Sequence, residues 1–221
     1  AAVGLAGVFI AVIAWFVLRG TPSVANADGP GATSAVETSP EDIPDITDIE
    51  RTGALKIDLT DKEDPDRLLG VLSAAAVEPV GINERDVEQP EAWLYLKDGQ
   101  FVYLTASTGR FTMPQPNSAP ESGILRGTDE EPVRIRLFEP TPDGERPDPS
   151  AVEPALTAEF DQPLEFDVRH ARASSVGRFR VYSDELEFIG THLTAIVNQV
   201  RERIELIEVR RGESITYTPS D

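Results

Sequence analysis

Side chains suited to acid, base or metal chemistry are few and scattered in this chain. It has two histidines, His170 and His192, and no cysteine. Neither histidine has a partner at the spacing of a metal site or a catalytic triad. Thiolate ligands, disulfides and cysteine nucleophiles are excluded by composition. We therefore expect both histidines to be exposed or hydrogen-bonded, and we expect no resident metal ion or cofactor.

Carboxylates are abundant, but their spacing is not that of a known site. The acids Asp58, Asp61, Glu63, Asp64 and Asp66 lack the spacing and glycine of an EF-hand loop. They predict a solvated acidic turn, as does the run Asp129-Glu130-Glu131. Two further pairs of carboxylates, Glu165 with Asp167 and Glu185 with Glu187, would each lie on one face of a strand. Paired carboxylates are the catalytic groups of glycosidases, so an exported glycan-active enzyme remains an alternative function. No phosphate-binding glycine loop, serine elbow or HExxH helix occurs, so we do not expect an enzyme.

The charge balance narrows the range of partners. Lys and Arg number 20 against 39 Asp and Glu, which gives a net charge of -19. Binding to a nucleic acid needs a basic face, so nucleic acid is not an expected partner. Hydrophobic residues make up 40% of the chain, enough for a packed core.

The first 19 residues have the character of a membrane segment. Ala1 to Leu18 carries no polar side chain other than the indole of Trp15, and Arg19 ends the run. As a helix it would span roughly 27 Å, close to the hydrocarbon thickness of a bilayer. Cleavage after Ala27 is the alternative to a retained anchor, because Ala25-Asn26-Ala27 has the small-x-small form of a signal-peptidase site. Either outcome exports the rest of the chain.

Two further regions follow the apolar segment. Residues 20–53 mix Pro, Gly, Ser and Thr with acids, and their apolar residues follow no period, which predicts a flexible acidic linker. Residues 54–221 are predicted to form one folded domain. Within it, the stretch Glu139–Pro154 carries five prolines and predicts a long loop or a projecting insertion.

Short alternating runs separated by turn residues predict an all-β, antiparallel domain. Leu55–Leu59 and Val133–Leu137 alternate apolar and polar residues without a break, and Asp98-Gly99 is typical of a tight hairpin turn. The remaining predicted strands are Trp93–Leu96, Gln100–Ala106, Ala155–Phe160, Leu164–Val168, Gly177–Tyr182, Glu185–Ile189 and Ser214–Thr218.

Thr191–Arg211 is ambiguous by periodicity. Its apolar residues match one face of a helix, but the stretch also divides into two strands around Asn198-Gln199. It is rich in β-branched residues, which favours strands. From the residues alone the two readings are even.

Glycine-marked strands recur in the second half of the chain. They run through Gly123-Ile124-Leu125-Arg126-Gly127-Thr128 into Val133–Phe138, then through Val181–Asp184, Phe188–Gly190, Leu193–Asn198, Arg203–Ile207 and Gly212–Ile215. With the N-terminal apolar segment, this pattern resembles the LptC/OstA family of lipopolysaccharide-transport proteins. The resemblance implies two strands at Thr191–Arg211 and an open antiparallel β-jelly roll in the periplasm, anchored in the inner membrane by one transmembrane helix.

The resemblance also implies a function and partners. The domain would hold the acyl chains of lipopolysaccharide or a similar glycolipid in an apolar groove and pass them to a homologous periplasmic jelly roll by strand addition, with an inner-membrane ABC transporter supplying the energy. Candidate groove residues are Leu104, Phe111, Ile135, Leu137, Phe166, Phe179, Val181, Phe188, Leu193 and Ile196. The candidate partner edge is Glu213, Ser214, Ile215, Thr216 and Tyr217. The alternative is a membrane-tethered β-sandwich adaptor that binds protein and no lipid.

Overall fold

The computed structural model describes residues 54–60, 64, 66–96, 99–115, 118–198 and 203–218. The predicted membrane segment, the cleavage site and the whole of the predicted linker lie outside these residues. The described residues contain fourteen strands, which confirms the all-β prediction. The strands are β1 (Leu55–Thr60), β2 (Leu68–Ala74), β3 (Ala76–Pro79), β4 (Glu84–Glu88), β5 (Glu91–Tyr95), β6 (Phe101–Thr105), β7 (Thr108–Thr112), β8 (Ser122–Arg126), β9 (Val133–Phe138), β10 (Leu156–Phe160), β11 (Leu164–Asp167), β12 (Arg172–Tyr182), β13 (Leu186–Asn198) and β14 (Arg203–Tyr217). Within these ranges, no helix is long and apolar enough to cross a bilayer.

All the strands belong to one antiparallel sheet that folds back on itself. The first layer has the order β1-β2-β5-β6-β9-β10, and the second has the order β3-β4-β7-β8-β11. The layers meet at β12, whose first residues pair with β11 and whose last residues pair with β10. β13 then pairs along β12, and β14 pairs along β13. The result is a nearly closed, jelly-roll-like sheet.

The chain passes from one layer to the other at sharp bends, with backbone hydrogen bonds kept across them. Ala75, between β2 and β3, donates to the Glu88 carbonyl at 2.9 Å, and Gln89 donates to the Ser107 carbonyl at 2.9 Å. Ser107 in turn donates to the Arg126 carbonyl at 3.0 Å. Since these bonds link neighbouring bends, the two layers are joined along one side.

Side chains between the layers form the main core. In β9, Val133, Ile135 and Leu137 are buried while Arg134 and Arg136 lie on the outer face, as the alternation predicts. Buried residues of both layers, such as Leu94 of β5 and Phe111 of β7, belong to one cluster. Each such side chain contributes ~1.5–3 kcal/mol on burial, so this interior is the main source of stability.

The proline-rich segment is a loop that packs on the outer face of the first layer. There, the Trp93 and Tyr103 rings stack with centroids 4.3 Å apart. The Arg146 guanidinium lies 5.1 Å from the centroid of the Trp93 ring. Arg136 donates to the Pro149 carbonyl at 3.0 Å, which ties the loop to β9. The loop therefore covers a second, smaller aromatic cluster instead of projecting into solvent.

The ambiguous stretch is two strands. β13 runs to Asn198, and β14 begins at Arg203. The two pair through most of their length, with Leu193 opposite Val209 and Ala195 opposite Ile207. His192 in β13 has a φ of 56°, and the β13–β14 register shifts between Ile196 and Val197, which pair with Leu206 and Ile204. This irregularity breaks the alternation, which explains why periodicity alone did not decide between helix and strand.

Candidate functional site

The inner face of β12, β13 and β14 is an apolar surface that starts in the core and ends uncovered. Val181 of β12 lies opposite Phe188 of β13, which lies opposite Ile215 of β14. Exposure rises along this row: Val181 is 8% exposed, Phe188 is half-buried and Ile215 is 73% exposed. The sheet therefore carries an apolar face from the interior out to its last strand.

A second row shows the same trend. Ala173, Ala195 and Ile207 are opposite one another on β12, β13 and β14. The two alanines are buried, whereas Ile207 is 37% exposed. Tyr217, two residues from Ile215 and hence on the same face, is 61% exposed. We call the set Phe188, Ile207, Val209, Ile215 and Tyr217 the terminal apolar face.

The terminal apolar face is open because of the topology of the sheet. Both layers diverge from β12, so their packed side chains cover the inner face of β12 and reach only part of β13. In the described part of the chain, β14 pairs with β13 alone. Among these residues its second edge is therefore unpaired, and its inner face is exposed at Ile215 and Tyr217.

The structure places the ten candidate groove residues in three environments. Phe166 and Phe188 are half-buried against the main core. Ile196 is half-buried and lies on the outer face of β13, whereas its neighbour Ala195 lies on the inner face. The others are buried members of the core: Leu104, Phe111, Ile135, Leu137, Phe179, Val181 and Leu193.

All five candidate edge residues lie in the second half of β14 and are exposed. Glu213 is already engaged, because Arg178 Nε donates to its carboxylate at 3.1 Å. Ser214 and Thr216 lie on the outer face, and Ile215 and Tyr217 lie on the inner one. A partner added at this edge would therefore meet polar side chains outside and apolar side chains inside.

A concave surface on the outer face of the second layer was not expected from the sequence. We call it the outer groove; its volume is about 460 Å³. Its middle is formed by the short side chains Thr112 and Ser122 together with Ile124, and longer charged residues surround them. Thr112 and Ser122 are paired across β7 and β8, so the low centre follows from the sheet register. The rim residues are Glu84, Arg110, Glu165, Asp167, His170 and Arg172.

Two polar pairs fix parts of this rim. Arg110 donates to both carboxylate oxygens of Asp86, at 2.6 and 2.8 Å, and this hydrogen bonding lowers the pKa of Asp86. Across the groove, His170 Nδ1 lies 2.7 Å from Asp167 Oδ2, and the His170 amide donates to Oδ1 at 2.9 Å. Burial alone would raise the pKa of Asp167, but the hydrogen bonds with His170 outweigh it and lower that pKa.

The two carboxylate pairs considered in the sequence analysis lie in different places. Glu165 and Asp167 lie on one face of β11 and both line the outer groove. Glu187 is engaged by Arg180, whose Nε donates to it at 2.5 Å. Among the residues that the structure describes, no three His, Asp or Glu side chains are grouped as metal ligands.

No family model matches this chain, and no curated protein matches it.

Proposed function

We propose that this chain is a membrane-anchored, periplasmic component of lipopolysaccharide export, similar to proteins of the LptC/OstA family. Its jelly-roll-like domain takes up the acyl chains of lipopolysaccharide or a related glycolipid on the terminal apolar face and passes them to a homologous jelly roll. Residues 1–19 anchor it in the inner membrane, where an ABC transporter supplies the energy. The chain itself binds and guides the lipid and catalyses no reaction.

The observation that carries this proposal is the rise in exposure from Val181 through Phe188 to Ile215. An acyl chain gains ~0.8 kcal/mol for each CH₂ that it buries. An open face formed by two strands, β13 and β14, would bury one side of such a chain, so binding is favourable and shallow. Shallow binding suits a carrier, because each lipid has to leave again.

Strand addition at β14 complements lipid uptake. An exposed edge strand with an apolar face is a template for pairing with another chain. A partner strand would satisfy the free backbone groups of β14 and extend the apolar face beyond Ile215 and Tyr217. The candidate edge residues Glu213–Tyr217 are thus proposed as the junction between the two jelly rolls.

Site-specific photo-crosslinking tests the proposal. A photo-reactive phenylalanine analogue replaces Ile215 on the inner face or, as the matched control, Ser214 on the outer face of the same strand. In membranes that contain lipopolysaccharide, the full chain should form a lipid adduct from position 215 and none from position 214. Equal labelling at both positions, or none at either, would contradict the proposal.

Substitutions that introduce a charge provide a second test of the same proposal. Ile207→Glu places a carboxylate on the terminal apolar face, at a position that is already 37% exposed, so the fold should persist. We expect it to reduce the lipid adduct from position 215 at least tenfold. Ser214→Glu adds the same charge to the outer face and should leave the adduct unchanged.

The alternative function is a tethered β-sandwich adaptor that binds protein alone. It is favoured by the burial of seven candidate groove residues in a packed core, which leaves the terminal apolar face as the remaining lipid surface. Mass spectrometry of the gently extracted full chain separates the two functions. Co-purified acyl chains support the carrier, and a lipid-free chain that still captures a jelly-roll partner supports the adaptor.

A further inference from the structure

The outer groove has a composition that the proposed lipid function does not use. It lies on the outer face of β4, β7, β8, β11 and β12, whereas the terminal apolar face is on the inner side of β12–β14. Its volume of about 460 Å³ is within the range of small-molecule pockets. Its lining combines hydroxyl, carboxylate, guanidinium and imidazole groups with the apolar side chains of Ile124 and Phe166.

We propose that the outer groove binds a short saccharide, with one sugar ring over Ile124 and its hydroxyl groups bonded to Glu165 and Arg172. This inference does not depend on the lipid function. Carboxylates accept hydrogen bonds from hydroxyls, and a planar guanidinium donates two in parallel, which suits neighbouring hydroxyls of a sugar.

Glu165 and Arg172 are free to serve this purpose. Both are exposed, and within the described ranges neither has an ion pair or a side-chain hydrogen bond. They lie on adjacent strands, β11 and β12, at one wall of the groove. Arg110, at the opposite wall, is held in place by Asp86.

The floor fits a sugar ring. Ile124 is half-buried on the outer face of β8, next to Leu125, which is buried in the core. Its aliphatic side chain offers an apolar patch for the C–H face of a ring. Thr112 and Ser122, beside it, add short hydroxyl groups that leave room above the sheet. The long side chains around them limit the ligand to a few sugar units.

Charge argues against an anionic ligand. Three carboxylates line the groove, those of Glu84, Glu165 and Asp167, against the two guanidinium groups of Arg110 and Arg172. A phosphate or carboxylate ligand would meet a net negative surface, whereas a neutral polyhydroxylated ligand would not be repelled.

The hairpin that carries His170 is fixed before any ligand binds. The Val168 amide donates to the Glu121 carbonyl at 2.8 Å, and Arg169 forms an ion pair with the Glu121 carboxylate. Asp167 holds His170 through two contacts. A rigid wall lowers the entropic cost of ordering a bound sugar.

The geometry favours binding over hydrolysis. A glycosidase needs one carboxyl group that stays protonated to act as the general acid. Asp167 is held as a carboxylate by its hydrogen bonds with His170 and so serves as an acceptor. The outer groove is therefore proposed as a recognition site.

Nuclear magnetic resonance titration tests this site. The full chain, in detergent micelles, is titrated separately with mannobiose, chitobiose, lactose and maltotriose. At least one sugar should shift the amide signals of Ser122, Ile124 and Glu165, and leave those of the terminal apolar face unchanged. The proposal is overturned if no sugar shifts the groove signals, or if ethanolamine shifts them and no sugar does.

Variants give the matched comparison. Glu165→Gln and Arg172→Met should each weaken sugar binding at least tenfold, and Ser122→Tyr should abolish it by filling the floor. Glu208→Gln and Arg210→Met make the same changes on exposed positions of β14 and should leave binding unchanged. Because all five positions lie at the surface or on the outer face, thermal unfolding should stay close to that of the parent chain. Wild-type binding by the three groove variants would overturn the proposal.

Discussion

The Phe111 and Phe166 rings meet edge to face, with centroids 5.8 Å apart, across the bare backbone of Gly123. The three residues lie side by side on β7, β8 and β11, with Gly123 in the middle. A side chain at the middle position would hold the rings apart. The absence of one lets the two aromatic residues close the inner face of the second layer.

Gly123→Ala should therefore destabilise the domain. A Cβ at this position would lie 2.6 Å from Phe111 Cδ1 and 2.8 Å from both Phe166 Cζ and the Arg110 carbonyl oxygen. We expect a loss of ~1–3 kcal/mol in the free energy of unfolding, typical of overpacking. Denaturant titration measures this loss.

Gly212→Ala is the matched control for that substitution. A Cβ there would meet its nearest neighbour, Phe188, at 3.7 Å, which is an ordinary contact. Its free energy of unfolding should stay within ~0.5 kcal/mol of the parent chain. Equal effects of the two substitutions would show that the ring contact does not depend on Gly123.

Replacement of Ser175 should have the opposite effect and increase the stability of the domain. Ser175 is 3% exposed in β12, and its hydroxyl has no hydrogen-bond partner among the residues that the structure describes. A buried hydroxyl without a partner costs free energy, so Ser175→Ala should raise the free energy of unfolding by ~0.5–2 kcal/mol.

Ser183→Ala is the comparison for Ser175→Ala in the same denaturant titration. The Ser183 hydroxyl accepts a hydrogen bond from the Leu186 amide at 3.2 Å. Its removal should lower the free energy of unfolding by ~0.5–1.5 kcal/mol. A loss of stability in Ser175→Ala would mean that the buried hydroxyl is satisfied after all.

Strands with a full alternating pattern could be predicted from the sequence. Leu55–Leu59 and Val133–Leu137 became β1 and β9, and the turn at Gly99 has the positive φ that Asp-Gly predicted. β2, β3, β4 and β7 were not predicted, and β4 and β7 show one reason. These two strands are only five residues long. The single large apolar side chain that points inward is Val87 in β4 and Phe111 in β7, and the other inward position of β7 is Gly109. The alternating pattern is therefore too short to be recognised.

The bends and the sites depend on contacts that linear patterns do not contain. Ala75 carries no turn signal, yet the chain changes layers there, because the next strand pairs with β4. The terminal apolar face needed the register that places Phe188 opposite Ile215. The outer groove needed Thr112 and Ser122 to be neighbours on separate strands. Phe188, Glu165, Asp167 and the edge residues Glu213–Tyr217 could be named from the sequence, but their arrangement in the two sites could not.

Tyr103 makes the stability of the domain depend on pH in the alkaline range. Burial in the aromatic cluster, helped by the nearby negative charge of Glu91, raises the pKa of Tyr103 to about 12. In the unfolded chain a tyrosine titrates near pH ~10. The folded state therefore holds this proton more tightly, and the corresponding stability is fully present below pH ~10 and is lost as the pH rises to about 12.

Tyr103→Phe should remove this dependence. Unfolding midpoints measured by circular dichroism at increasing pH should fall less steeply between pH 10 and about 12 in the variant than in the parent chain. Phenolate absorbance should show one titrating group fewer near the upper end of that range. Glu91→Gln should move the step to lower pH without restoring the ordinary value, because burial is the larger cause. An unchanged profile in Tyr103→Phe would show that another group controls the alkaline stability of the domain.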